Sequence, residues 1–188
     1  MQFLLLENGS GRQSLERTQL CLYRRDVHHG MTLPFDPAAI DPSDIGEKQV
    51  VLEQSHEDAI ETVRTACVDC GFGIPVEFSP SELLNEKVDA DRDPYYVLGA
   101  CNPAVADRAL DETLKIGGLF PCNMVVWEEA PGRQRVYHLS IMRIAHALGI
   151  APDSAEWDGI LETTGELTEQ AFASLEAHED AVSVTEDT

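Results

Sequence analysis

Pro94-Tyr95-Tyr96-Val97-Leu98-Gly99-Ala100-Cys101-Asn102-Pro103 and Leu119-Phe120-Pro121-Cys122-Asn123-Met124-Val125-Val126 are the two stretches whose reading decides the fold. In the first, an aromatic and aliphatic run bounded by Pro94 has the composition of a buried strand. Asn102 is a favoured N-cap residue, and Pro103 suits the first helical position because its missing N–H would find no partner there. A helix is expected to follow, with Ala106, Leu110 and Leu114 on its apolar side and Gly117-Gly118 as its stop. In the second stretch Pro121 opens a strand and gives up only one ladder hydrogen bond. Alternation then sets Cys122, Met124 and Val126 on one face and Asn123, Val125 and Trp127 on the other.

Each stretch carries a Cys-Asn pair at the edge of a regular element, and the two pairs are expected to face each other. Cys101 falls where a strand hands over to a helix N-terminus. Unpaired backbone N–H groups collect there, favour anions and can lower a thiol pKa. Two readings stay open. In one, Cys101 and Cys122 are reactive, catalytic thiols, with Gly99, Asn102, Pro103, Pro121, Asn123 and His138 binding a ligand around them. In the other, both cysteines are small buried residues filling tight corners. A metal held by Cys101, Cys122 and His138 is neither supported nor excluded by the spacing, and neither a metal nor a cofactor is assigned.

Working outward toward the N-terminus, Gln49–Glu53 reads as a first strand, and Ser55 caps a helix with Asp58 in the position of a capping box. Ala59, Ile60, Val63, Ala66, Cys67 and Cys70 form one apolar stripe of helical spacing, ended by Gly71. Cys67-Val68-Asp69-Cys70 invites a redox or zinc reading. Its thiols fall on the buried stripe, however, and no second ligand pair of comparable spacing accompanies them, so core packing is the better account. Gly73–Phe78 is a second strand, held toward an edge by Pro75. Ser79-Pro80-Ser81-Glu82 starts a short helix with Leu83, Leu84 and Val88 as its apolar anchors.

Toward the C-terminus, Glu128–Arg133 is a hairpin turn and Val136–Ile141 the returning strand, followed by a short helix over Arg143–Leu148. His138 shares a strand face with Val136 and Ser140. A histidine so placed is more often a satisfied sheet residue than a base. Residues 151–188 form an acidic helical appendage, with Trp157, Ile160, Leu161, Leu167, Ala171, Phe172 and Leu175 as docking surface and a frayed last stretch of ten.

The chain has 188 residues, enough for one domain with appendages, and 34 acidic against 13 basic side chains, a net charge of −21. Such a chain repels nucleic acid and anionic membranes. Dense carboxylate with only Lys48, Lys87 and Lys115 as lysines resembles adaptation to a high-salt cytoplasm, where screening removes self-repulsion. No apolar run is long enough to span a membrane, and Met1–Leu6 is too short for a signal segment, so a cytoplasmic location with free thiols is expected. Residues 1–30 depart from the rest by carrying four Arg against three acids. They are expected to be a disordered or misassigned extension, with Met31 as an alternative start and 31–47 as an extended lead-in.

The order strand, helix, strand, short helix, strand, helix, strand, strand, helix, with its one hairpin, gives an α+β domain rather than a doubly wound sheet. About five strands in a small antiparallel or mixed sheet, with helices packed on one face, are expected. Gly71-Phe72-Gly73, then the two Cys-Asn stretches at their separation, resemble the domain of unknown function 302 family over about residues 48–145. Its pattern falls on Gly99, Cys101, Asn102, Pro103, Pro121, Cys122 and Asn123. The resemblance implies a TATA-binding-protein-like superfold and a homodimer, without DNA binding, and it implies no reaction.

Two functions are therefore weighed: a small-ligand or thiol-handling site around Cys101 and Cys122, and a non-catalytic interaction module whose cysteines are structural and whose acidic C-terminal helices bind a partner.

Overall fold

The protein, seen in a computed structural model, is described here over residues 41–182. The expectations for 1–30 and most of those for the lead-in lie outside the described residues. Within the lead-in, Pro42–Ile45 form a single 3-10 turn.

The elements run β1 (Lys48–Leu52), α1 (His56–Asp69), β2 (Gly73–Phe78), α2 (Pro80–Val88), β3 (Tyr95–Cys101), α3 (Pro103–Glu112), a 3-10 segment (Leu114–Gly118), β4 (Cys122–Ala130), β5 (Arg133–His138), α4 (Ile141–Ala147), α5 (Ala155–Glu176) and β6 (Ala181–Val182). The strands make one sheet in the order β2-β3-β4-β5-β1-β6, with antiparallel pairing throughout. The class is α+β, as the element order requires. Among the described residues no helix is long and apolar enough to cross a membrane.

Local chemistry sets the helix starts. Ser55, Ser79, Asn102, Ser140 and Ser154 each accept a hydrogen bond from the backbone N–H three residues on, of Asp58, Glu82, Val105, Arg143 and Trp157. Each such cap contributes about 1 kcal/mol. The Ser140 cap corrects one expectation: β5 runs Arg133–His138 and α4 starts at Ile141, so both the strand and the helix begin earlier than hydrophobicity alone suggests.

The main core lies between one sheet face and the helices α1 and α5. Val50, Leu52, Leu98, Ala100, Met124, Val126 and Val136 from the sheet meet Ala59, Val63, Ala66 and Cys67 of α1 and Phe172 and Leu175 of α5. A second cluster joins Val105 and Ala109 of α3, Ile116, Ile141, Met142 and Ala145 of α4, and Trp157 and Ile160 of α5. Leu167 packs against both clusters. The opposite sheet face carries Tyr95, Trp127 and Tyr137 in a row, with ring centroids 6.3 Å and 6.1 Å apart.

Three further expectations need correction. In α3 the buried positions are Val105 and Ala109, whereas Leu110 is exposed and Leu114 is 83 % exposed. The phase is set by the second cluster, against which Val105 and Ala109 pack. In α2 the expected anchors Leu83, Leu84 and Val88 point outward, and the buried residue is Ser81. Its hydroxyl accepts from the backbone N–H of Tyr95 at 3.0 Å and lies 3.3 Å from the Tyr95 carbonyl, so polar contacts to β3 hold this helix. Finally, α5 docks on the domain through the apolar residues that the sequence singles out, supplying residues to both clusters. The chain after it is not frayed up to Val182, because β6 pairs with Val51 and Leu52 of β1.

Candidate functional site

The sheet register brings the two Cys-Asn stretches together. Ala100 pairs with Cys122 and Gly99 with Asn123, so the end of β3 lies against the start of β4. Cys101, Asn102, Pro121 and Cys122 line one small cavity of about 10 Å³ with Phe72, Val105, Ala106, Phe120, Met142 and Thr164. That volume holds about one water molecule. The convergence expected from sequence is present, but the space between the motifs is nearly filled.

The electrostatics run opposite to the expected activation. Burial pushes the Cys101 thiol up from its ordinary value. Burial, then the neighbouring Cys101, pushes the Cys122 thiol up to about 12. Desolvation penalises the thiolate more than the helix terminus helps it. The same cause raises Cys67 to about 12. Both members of the 67/70 pair are free thiols, Cys67 in the core and Cys70 capping α1.

The remaining motif residues serve the fold. Asn102 accepts from the Val105 N–H at 3.1 Å and donates through Nδ2 to the Gly71 carbonyl at 3.0 Å, tying the end of α1 to the start of α3. Pro103 takes the first helical position. Gly99 allows a close approach: a Cβ there would sit 2.4 Å from the Pro121 ring and 2.7 Å from Val76. The Asn123 side chain is exposed, yet its carbonyl accepts a 3.0 Å hydrogen bond from Nδ1 of His138.

That bond leads to a larger space. His138, 2 % exposed, lines a cleft of about 890 Å³ walled by the Gly46–Lys48 loop, the Ser140–Arg143 turn and α5 from Leu161 to Gln170. A carbonyl can only accept, so Nδ1 carries the proton and Nε2 keeps a lone pair. No partner within the described residues takes up Nε2. Burial lowers the His138 pKa, against a smaller opposing effect of the Asn123 bond, which keeps the ring neutral. Thr168, also buried, lines the same cleft with a hydroxyl that has no partner among the described residues.

Charges edge the cleft. Lys48 pairs with Glu169, and Glu47 accepts from the Tyr137 hydroxyl at 2.7 Å. Arg143, Glu162 and Glu166 form no ion pair among the described residues. Gly46, at φ +67°, makes room for Arg143: a Cβ there would come within 3.2 Å of its Cδ. Among the described residues no group of three or more His, Cys, Asp or Glu is placed to hold a metal ion.

Of the candidate site residues, the structure thus gathers Cys101, Asn102, Pro121 and Cys122 at one filled spot and places His138 at another. Lys48, Ser140, Arg143, Gly165 and Thr168 were missed by sequence reasoning. One signal was available. Thr164 and Thr168 stand one turn apart on the otherwise apolar buried side of α5, and Gly165 between them opens its surface.

A family model described as "Domain of unknown function DUF302" matches residues 48–175, which takes in α5 and corrects the narrower span of 48–145 expected from the motifs. Among solved structures, the "uncharacterized conserved protein DUF302 from Bacillus stearothermophilus" is similar at 25 % identity with a TM-score of 0.57, covering 69 % of this chain and 95 % of its own. No curated protein matches the chain.

Proposed function

The chain belongs to the DUF302 family, and on that premise we propose that it is a binding protein for a small polar molecule, which occupies the cleft at His138. The observation that carries this reading is a buried, neutral imidazole whose Nδ1 is anchored on the Asn123 carbonyl and whose Nε2 has no partner in the chain. Nε2 opens on the cleft, and a ligand N–H or O–H that reaches it makes a hydrogen bond that no group of the chain supplies. The cleft volume of about 890 Å³ suits a small molecule.

In this reading Cys101 and Cys122 are packing residues behind the cleft. Support comes from the filled cavity between them and from the upward displacement of both thiols by burial. Thr164 faces their cavity, and Gly165 and Thr168 face the cleft, so α5 is the partition between the two.

The test is a thermal-shift screen of amino acids, short peptides, hydroxy acids, polyamines and nucleosides against the wild-type chain and His138→Gln. At least one compound should raise the melting temperature of the wild type and leave the variant unmoved. Thr168→Val is the second variant, should His138→Gln fold poorly. A screen in which no compound acts, or in which all act equally on all three proteins, would contradict the proposal.

A further inference from the structure

The cleft's polar groups fall into an order that specifies what its ligand must carry. Lys48 and Glu169 neutralise each other, and Glu47 is engaged by Tyr137. Of the cleft's charged groups, those without an ion pair among the described residues are one guanidinium, Arg143 at the start of α4, and two carboxylates, Glu162 and Glu166, one turn apart on α5. The same cleft is lined by two buried residues, His138 and Thr168, whose Nε2 and hydroxyl have no partner among the described residues.

Each simpler ligand class meets a conflict. A purely anionic molecule would find Arg143 but would also face Glu162 and Glu166, in a chain already at −21. A purely cationic molecule would meet the carboxylates and leave the Arg143 charge opposed. An apolar molecule would cover His138 and Thr168 without satisfying either. An amphoteric molecule satisfies all of them. Its anionic group pairs with Arg143, its cationic group with Glu162 and Glu166, and an N–H between the two donates to Nε2 of His138.

Resting on the reading of the cleft as a small-molecule site, we infer that its ligand is a small zwitterion with an internal N–H donor, of which a dipeptide is the simplest form. The neutral imidazole selects for a donor because the Asn123 bond fixes its tautomer. The backbone amide of a dipeptide supplies that donor, and its carbonyl can accept from the Thr168 hydroxyl. The Arg143 stem runs close to Gly46 and leaves its guanidinium without a partner among the described residues. A guanidinium matches a carboxylate in the planar, two-bond manner that an ammonium cannot.

Isothermal titration calorimetry of the full chain with glycylglycine, N-acetylglycine and glycinamide tests this directly. N-acetylglycine keeps the amide and the anion, and glycinamide keeps the amide and the cation. Glycylglycine is expected to bind, and each single-charge analogue to bind weaker by about tenfold or more. Arg143→Gln should remove the advantage of glycylglycine over glycinamide, and Glu162→Gln with Glu166→Gln its advantage over N-acetylglycine. These three side chains are exposed, so the variants keep the fold. Equal binding of all three probes, or no binding of glycylglycine, overturns the inference. If another compound still binds in a His138-dependent way, only the zwitterion assignment falls; if none does, the cleft reading falls with it.

Discussion

Nδ1 of His138 donates a 3.0 Å hydrogen bond to the carbonyl oxygen of Asn123, a side-chain contact that ties the strand of the second Cys-Asn motif to the cleft on the helical side of the sheet. The motif matters to the cleft through its backbone. Asn123 sends its side chain to solvent and its carbonyl to the histidine, which a sequence argument about side chains does not foresee.

The buried ring makes stability depend on pH with a definite sign. Burial holds the folded-state pKa of His138 below its ordinary 6.5, so the unfolded chain takes up the proton first. The contribution is complete above pH 6.5 and is lost as pH falls from there through the folded-state value. Urea midpoints measured against pH should fall more steeply below that point for the wild type than for His138→Gln. The carboxylates around the cleft titrate in both proteins and cancel in the difference; parallel curves would contradict the assignment.

The thiols should be quiet. With Cys122 pushed up to about 12 and Cys101 displaced the same way, alkylation of either by iodoacetamide in the native protein at mildly alkaline pH is expected to be slow. Unfolding in urea should release both, as peptide mass mapping can follow. Rapid native labelling of Cys122 would restore the reactive-thiol reading.

Gly99→Ala should destabilise without touching the cleft. Its Cβ would meet the Pro121 ring at 2.4 Å and the Val76 carbonyl at 3.0 Å, and neither neighbour is the loose end of a flexible chain. Overpacking of this kind costs about 1–3 kcal/mol. Denaturant melts would read the loss, and a variant as stable as wild type would show that β2 and β4 yield there.

Phe172→Ala tests the standing of α5. Phe172 is fully buried in the main core and its ring lies 6.4 Å from that of His138. Removing it should cost about 3–5 kcal/mol. An appendage would tolerate the change, so a loss below about 1 kcal/mol would separate α5 from the domain.

How much of this was legible follows from which forces act locally. Caps and strand alternation are local, and Ser55, Ser79, Asn102 and the Gly73–Phe78 and Tyr95–Cys101 strands are found where the sequence puts them. The phase of a short helix is set by what it packs against. That is why Leu114 and Val88 turned outward while Ser81 was buried. Convergence of the two Cys-Asn motifs was readable from their strands, but the filled space between them was not, since it depends on Phe72, Met142 and Thr164 arriving from elsewhere in the chain. The cleft was the least legible feature. Its walls come from the Gly46–Lys48 loop, the start of α4 and the middle of α5, and its sequence traces were His138, named only as an outlying member of the cysteine site, and the polar Thr168 on the buried side of α5.

The most direct test of the central claim is a nitrogen–proton correlation spectrum of the histidine rings in the folded protein. At neutral pH the His138 ring should be the uncharged Nδ1–H tautomer, with Nε2 moving when a compound that stabilises the protein is added. An Nε2–H tautomer, or a ring already protonated at neutral pH, would leave no lone pair on Nε2 for a ligand donor and would contradict the account.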